Sequence, residues 1–223
     1  MIYTPVLIII ILVLIVILFK QKYKDFFTIT RIKSTVDYNM YPVASKYVDK
    51  EKAANLIGDL NLFTIKLIAK LREVYIDNVD IIKKSRYRKE YRTGAELTNI
   101  LFKRYSAGSL QENDPVSIDA TSYTTNKGEI ISFCLREKVS GKNNFHDLHT
   151  LQFVLLHELA HIITKEYNHS KSFWTNFKFL LEFCERYNLY KTKNYDLEKT
   201  PYCGMYITYN PINDKQLVSY FDN

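Results

Sequence analysis

The sequence predicts an α+β protein in which an N-terminal transmembrane helix precedes a mostly helical domain with a small antiparallel β-hairpin. Three observations predict this arrangement. Residues 1–19 carry no charged side chain. Later segments place apolar residues at steps of three and four, the spacing of one helix face. Two β-prone runs flank the turn Asn126-Lys127-Gly128, which is typical of a hairpin.

The N-terminal apolar run is long enough for a bilayer. Its centre reads VLIIIILVLIVILF, and about 20 apolar residues in a helix cross the hydrocarbon core. A cleaved signal peptide would have basic residues before the run and small residues after it, whereas KQKYKDFF follows here. Residues 1–20 are therefore predicted to be an uncleaved single-pass anchor in contact with membrane lipid. Lys20, Lys22 and Lys24 follow the span, so the positive-inside rule places the domain on the cytosolic side.

The composition and charge indicate which surroundings suit the protein. An apolar content of 47% with 25% charged residues excludes a disordered chain. The formal charge of +7 and the pI near 9.1 favour anionic surroundings such as phospholipid head groups or nucleic acid, although a solvated basic surface fits equally well. The three cysteines are an odd number without a C-x-x-C spacing, which argues against a disulfide framework and favours a reducing compartment.

The chain after the anchor divides into a connector and a domain. Residues 21–45 are predicted to be a juxtamembrane connector, and the domain is predicted to occupy residues 46–223. Periodic apolar residues predict one helix from Asp49 to about Tyr75 and a second over Ala95–Lys103. Residues 120–136 supply the hairpin. A strand at this point, shortly before the histidine-rich region, could pair with an extended peptide.

A basic segment lies between the first two predicted helices of the domain. Residues 83–92 read KKSRYRKEYR, in which six basic side chains are interleaved with Tyr87 and Tyr91. Such a segment could contact a nucleic-acid phosphate backbone. The commoner alternative is a solvated helix face or loop.

All five histidines fall within residues 146–169, and two of them belong to the motif HELAH. On a helix that turns 100° per residue, Leu155 and its apolar neighbours form a buried stripe, while His157 and His161 lie on the opposite side. Two imidazoles one turn apart can reach one metal ion, and Glu158 projects beside them. The alternative for these three side chains is a solvated helix face.

A zinc site needs a third protein ligand, and His169 is the candidate. It lies eight residues after His161, which is about 12 Å along a continuous helix, so the chain must turn back first. Asn168 tolerates a left-handed conformation, and Ser170 is a good N-cap for a following helix. His169 is therefore predicted to lie at the joint between two helices.

The chemistry of such a site would be hydrolysis. Glu158 would serve as general base and acid for a zinc-bound water that attacks a peptide carbonyl. The donor that stabilises the oxyanion is left open between Tyr202 and Tyr206. His146 and His149 lie at or before the start of the same helix and are predicted not to bind metal.

The motif HELAH, His169 and the pair Phe173-Trp174 resemble the WLM group of zinc metallopeptidases, relatives of the SprT-like enzymes. More narrowly, the chain resembles membrane-anchored WLM-domain proteins of large nucleocytoplasmic DNA viruses. The resemblance covers most of residues 46–210 and includes TSYTTNKGEIISFCLREK, HSKSFWTNFKFLL and YDLEKTPYCGMYITYNPI.

This resemblance implies a zincin-like fold for the WLM-like metallopeptidase domain. It implies that His157, His161 and His169 bind Zn²⁺ and that Glu158 is the catalytic residue. Ser170 stands where such sequences often have glycine. The resemblance also implies a viral protein in a virion membrane or a host membrane, with its domain inside the virion or on the cytosolic side.

Functions from different classes are consistent with these observations. The first is a membrane-anchored zinc metalloendopeptidase of the HExxH type, which acts on a protein or peptide substrate. The second is a structural virion membrane protein that retains a zincin fold and requires no proteolysis. Cellular relatives cut proteins crosslinked to DNA, so the basic residues 83–92 also raise the expectation of a DNA-associated substrate.

Overall fold

The computed structural model describes residues 11–17, 29–77, 93–113, 121–137 and 144–221. The helices are α1 (residues 11–17), α2 (Lys50–Arg72), α3 (Gly94–Arg104), α4 (Leu148–Ile163) and α5 (Lys171–Arg186). The strands are β1 (Ile29–Lys33), β2 (Met40–Ala44), β3 (Leu110–Glu112), β4 (Tyr123–Thr125), β5 (Ile130–Phe133), β6 (Thr200–Tyr202) and β7 (Met205–Ile207). Together they form a mixed α+β fold with three small sheets.

Within the described ranges, no helix combines the length and the apolar character needed to cross a membrane. In the N-terminal region the described residues are 11–17, which are helical and exposed. This finding contradicts the transmembrane helix predicted over residues 1–20, and the predicted single-pass membrane localisation is wrong with it. The prediction used hydropathy, which measures how apolar a run of residues is. Residues 1–10 and 18–20 lie outside the described residues.

Helix α2 and the β1–β2 hairpin form the first part of the fold. The apolar residues of α2 are buried at helical spacing, and a π-helical turn over Glu73–Asp77 extends the helix beyond its predicted end. Strands β1 and β2 pair antiparallel, and the hairpin packs against α2. Gly58 permits this approach because a Cβ atom there would collide with the hydroxyl of Ser34. The hairpin lies within the segment that was predicted to be a connector.

Helix α3 is fixed at both ends. Its N-terminus is a capping box, in which Thr93 Oγ1 accepts the N–H of Glu96 and the Glu96 carboxylate accepts the N–H of Thr93 at 2.7 Å. Near its C-terminus, Arg104 Nη1 donates to the carbonyl of Ile162 at 3.1 Å. Because Ile162 belongs to the last turn of α4, this bond joins α3 to the helix that carries the HELAH motif.

The central sheet has the strand order β3-β5-β4. Strands β4 and β5 are the predicted hairpin, and all three residues of the turn Asn126-Lys127-Gly128 have positive φ angles. The β4–β5 pair is antiparallel, as predicted. Strand β3 adds a parallel pair with β5, so the sheet as a whole is mixed. The buried carboxylate of Glu112 ties these parts together, because it accepts Arg136 Nε at 2.7 Å and the N–H of Ala44 at 2.8 Å.

The core lies among α2, α4 and α5. The leucine stripe of α4 is fully buried, as the helical wheel predicts for Leu151, Leu155 and Leu159. Asp147 caps this helix by accepting the N–H of Thr150 at 2.9 Å. With the leucines held against the core, the opposite side of α4 carries His157 and His161.

Candidate metal centre and adjoining cleft

Three imidazole rings converge beside α4. His157 and His161 lie one turn apart on the helix, and His169 lies on the segment that joins α4 to α5. The Nε2 atom of His169 is 3.1 Å from Nε2 of His157 and 3.2 Å from Nε2 of His161. A tetrahedral zinc ion with Zn–N bonds of about 2.0–2.1 Å separates its nitrogen ligands by roughly 3.3 Å, so this donor set fits such an ion. In the described part of the chain, these histidines are the group whose ligand atoms lie close enough to hold a metal.

The chain returns His169 to the helix through a turn at the end of α4. Thr164 adopts an extended conformation, its N–H and its hydroxyl both donate to the carbonyl of Ala160, and Asn176 donates to its Oγ1 at 2.9 Å. The sequence predicted this break at Asn168, but Asn168 has no left-handed backbone. Ser170 caps α5 by accepting the N–H of Phe173, as predicted.

The hairpin turn supports the same segment from outside. Lys127 Nζ donates to the carbonyl of His161 at 3.3 Å and to the carbonyl of Glu166. It also lies 4.3 Å from the ring centroid of Tyr167. These contacts join the hairpin turn to the connection between His161 and His169, and no motif in the sequence indicated them.

Aromatic side chains of α5 surround the imidazoles. The ring of His157 lies 4.8 Å from Phe173 and 5.3 Å from Phe177, and the ring of His169 lies 5.5 Å from Trp174, measured between centroids. Burial among these rings holds the pKa of His157 well below its ordinary value and lowers that of His161 to about 4, with the neighbouring imidazoles adding to the effect. Burial lowers the pKa of His169 as well. The three rings are therefore neutral at pH 7, which is the form that binds metal.

Glu158 lies beside the histidines with only 2% of its surface exposed. Its Oε2 accepts a hydrogen bond from Thr124 Oγ1 at 2.8 Å, so the edge strand β4 fixes the carboxyl group. Burial raises the pKa of Glu158 to about 8, and the bond from Thr124 opposes this only in part. Sequence reasoning missed Thr124, because nothing in the hairpin sequence shows which of its hydroxyls faces the helix.

The other two histidines have different partners. His146 Nε2 accepts the backbone N–H of Cys203 at 3.2 Å, and its ring lies 4.7 Å from that of Tyr202. His149 Nε2 lies 2.7 Å from the carbonyl of Lys191. Both therefore lie outside the group of three histidines and hold the segments that follow α5.

Cys134 and Cys203 form a disulfide bond, whereas Cys184 is a buried free thiol. This finding corrects the prediction, made from the odd cysteine count, that the chain has no disulfide framework. An odd cysteine count allows one pair and one free thiol, and the two partners are 69 residues apart in sequence. The bond joins the residue after β5 to the turn between β6 and β7.

A cleft with a volume of about 290 Å³ opens beside His157, Glu158 and His169. The two tyrosines considered as oxyanion donors both line it. The hydroxyl of Tyr202 is buried against Ser122 Oγ, whereas the side chain of Tyr206 is 62% exposed on β7. Of the two hydroxyls, that of Tyr206 is therefore the more accessible to a bound molecule.

The basic segment, residues 83–92, lies outside the described residues. Contact of this segment with nucleic acid stays a prediction.

The chain has a HELAH helix, a third histidine supplied after a turn and a buried glutamate. These features are typical of metallopeptidase-like proteins. Comparison with known sequences agrees, since the WLM domain family matches residues 95–206. The chain belongs to the WLM-domain family.

Three relatives come from large DNA viruses. Uncharacterized protein R325 of Acanthamoeba polyphaga mimivirus is 31% identical over 82% of this chain and 87% of its own length. Uncharacterized protein 136R of Invertebrate iridescent virus 6 is 41% identical over 31% of this chain and 38% of its own length. Uncharacterized protein 042R of Invertebrate iridescent virus 3 is 42% identical over 29% of this chain and 39% of its own length. No solved structure matches the chain.

Proposed function

We propose that this chain is a zinc-dependent endopeptidase, in which His157, His161 and His169 hold Zn²⁺ and Glu158 is the general base and acid. The observation that carries the proposal is the convergence of three neutral imidazoles, with Nε2 separations of 3.1 and 3.2 Å, next to one buried carboxyl group. Membership of the WLM-domain family supports it. When bound, the zinc ion would polarise a peptide carbonyl and lower the pKa of water.

Glu158 would carry the proton through the reaction. It would accept a proton from the attacking water and deliver it to the leaving amine. A pKa of about 8 lies near neutral pH, so the carboxyl group can both accept and release a proton there. Thr124 would keep one carboxyl oxygen in a fixed direction and leave the other for the water molecule.

The substrate would bind as an extended peptide along β4. Among the described strands, β4 pairs on one side only, with β5, so its other edge is available for backbone hydrogen bonds. The same strand carries Thr124, which contacts Glu158. A peptide paired with β4 would therefore pass directly over the glutamate and the histidines.

The test compares metal content and peptide cleavage in the purified full-length chain and its variants. Wild type is expected to bind one zinc ion and to cleave an unfolded protein such as casein. The Glu158→Gln variant should keep the zinc and lose cleavage, because the amide cannot take a proton. The His169→Ala variant should lose both, while His149→Ala, which removes a histidine outside the group of three, should lose neither.

Equal cleavage by wild type and Glu158→Gln would overturn the proposed mechanism. Zinc binding without cleavage of any substrate would instead favour the other function considered from the sequence, a structural protein that retains this fold. Absence of stoichiometric zinc from wild type would refute the metal site itself.

A further inference from the structure

The cleft beside the metal centre continues along α4 towards its N-terminus. Phe153 and Val154 line it, and they lie four residues, about 6 Å along the helix axis, before His157 and Glu158. Consecutive Cα atoms of an extended peptide are about 3.8 Å apart. A peptide bond placed at Glu158 would therefore place a side chain of an adjoining residue in the cleft.

The walls of the cleft are mostly apolar. Beyond Phe153 and Val154 they include side chains from α5 and from β7, namely Trp174, Phe177, Met205 and Ile207. Among the described residues that line the cleft, Glu158 is the single one with an Asp, Glu, Lys or Arg side chain. A charged substrate group placed there would lose its hydration without gaining an ionic partner, and this is costly.

Contacts between rings hold the walls in place. The rings of Phe153 and Phe177 lie 5.1 Å apart, and Trp174 meets the ring of Tyr209 edge-on at 4.9 Å. Tyr209 is held in turn by its hydroxyl, which donates to Asp214 Oδ2 at 2.7 Å. The cleft is therefore bounded by aromatic rings in fixed positions, a surface that matches another large apolar group.

We propose that this cleft is a specificity pocket for one large apolar side chain, aromatic or long aliphatic, of the substrate residue next to the cleaved bond. The proposal rests on the proposed peptidase function. It assigns the substrate preference to the side chains of Phe153, Val154, Trp174 and Phe177 within the cleft, with Met205 at its exposed edge.

The first test measures cleavage of a matched peptide series. The peptides are identical except for one central residue, which is Phe, Leu, Ala, Lys or Asp, and the cut site is mapped by mass spectrometry. The zinc-loaded full-length chain is expected to cut next to Phe or Leu with kcat/KM at least about tenfold above that for Ala, because each buried methylene contributes to discrimination. The Lys and Asp peptides should be cut more slowly still. Equal rates across the series would overturn the proposal.

A charge placed at the edge of the cleft tests the location of the pocket. Met205 is 52% exposed, so Met205→Asp should fold normally, and it should raise the Lys-to-Phe ratio of kcat/KM by about threefold. Leu197→Asp is the matched control, because Leu197 is an exposed apolar residue that does not line the cleft. If the Lys-to-Phe ratio changes equally in both variants, or in neither, the substrate preference does not arise in this cleft.

A binding measurement separates failure of the pocket from failure of the peptidase function. Trp174 is the one tryptophan of the chain and lines the cleft, so its fluorescence reports entry of a ligand. In the Glu158→Gln variant, N-acetyl-phenylalanine amide should change the emission saturably, and the lysine and aspartate amides should not. This response without any cleavage by wild type would uphold the pocket and refute the proposed function. Cleavage without this response would refute the pocket.

Discussion

Removal of the Cys134–Cys203 disulfide is expected to destabilise the protein by a large fraction of its total stability. The bond joins residues 69 apart in sequence. In the chain-entropy model, releasing a loop of this length lowers the free energy of unfolding by about 4.4 kcal/mol at 25 °C. Domains of this size are stable by about 5–15 kcal/mol, so the loss is large enough to measure directly.

The assay is equilibrium unfolding in urea of wild type and the Cys134→Ala/Cys203→Ala variant, each with and without reductant. Without reductant, the wild-type midpoint should be higher by about 2 M for a slope of about 2 kcal/mol/M. Reductant should bring the wild-type midpoint down to that of the variant, which should not respond. Cys184→Ala is the control, because it removes the free thiol and should keep the response to reductant.

A thiol count gives the result that would refute this reasoning. Wild type unfolded without reductant should show one reactive thiol per chain, that of Cys184. Three reactive thiols would show that the bond does not form. A midpoint that does not respond to reductant would show that the bond does not stabilise the fold. Where the bond is lost, peptide cleavage should also decrease, because Cys203 begins the turn that positions β7 along the cleft.

Three further predictions follow from the site and the basic segment. Thr124→Val should lower kcat/KM by about tenfold with zinc still bound, because Glu158 loses the hydrogen bond that orients it. Thr124→Ser keeps the hydroxyl and should keep the wild-type rate. An unchanged rate in the valine variant would exclude this role. In metal-free protein, Glu158→Gln should gain stability over wild type, on the order of 4 kcal/mol, as the pH rises from 4.5 to 8. The sign follows because the raised pKa keeps the folded carboxyl protonated where the unfolded chain has lost its proton, so wild type becomes less stable as the pH rises; parallel stability profiles from urea titrations would contradict it. If residues 83–92 contact nucleic acid, DNA binding should weaken as the salt concentration rises and should be lost when Lys83, Lys84, Arg86 and Arg88 are neutralised. Binding that does not depend on salt would exclude this segment as the contact site.

The helices around the metal centre could be predicted because their signals are local. The leucine spacing of α4 and the cap at Ser170 depend on residues within one or two turns, and the structure places His169 between two helices, as predicted. The turn between them was assigned to the wrong residue. Thr164 is the C-cap of α4, and its hydroxyl accepts a hydrogen bond from Asn176 of the next helix.

The prediction for the N-terminal segment was wrong. The apolar run predicted a transmembrane helix because its composition suits a bilayer. In the described ranges no helix meets the requirement for crossing a membrane.

By itself, the sequence determined that two histidines and a glutamate share one side of a helix and that a third histidine follows after a break. Those features depend on the 100° step of the helix and on capping residues a few positions away. Only the tertiary structure decided that Thr124 bonds to Glu158, that Cys134 pairs with Cys203, and that β7 completes an apolar cleft. The physical reason is that these contacts join residues 34 and 69 positions apart or different elements of the fold, and their geometry depends on how the whole chain packs.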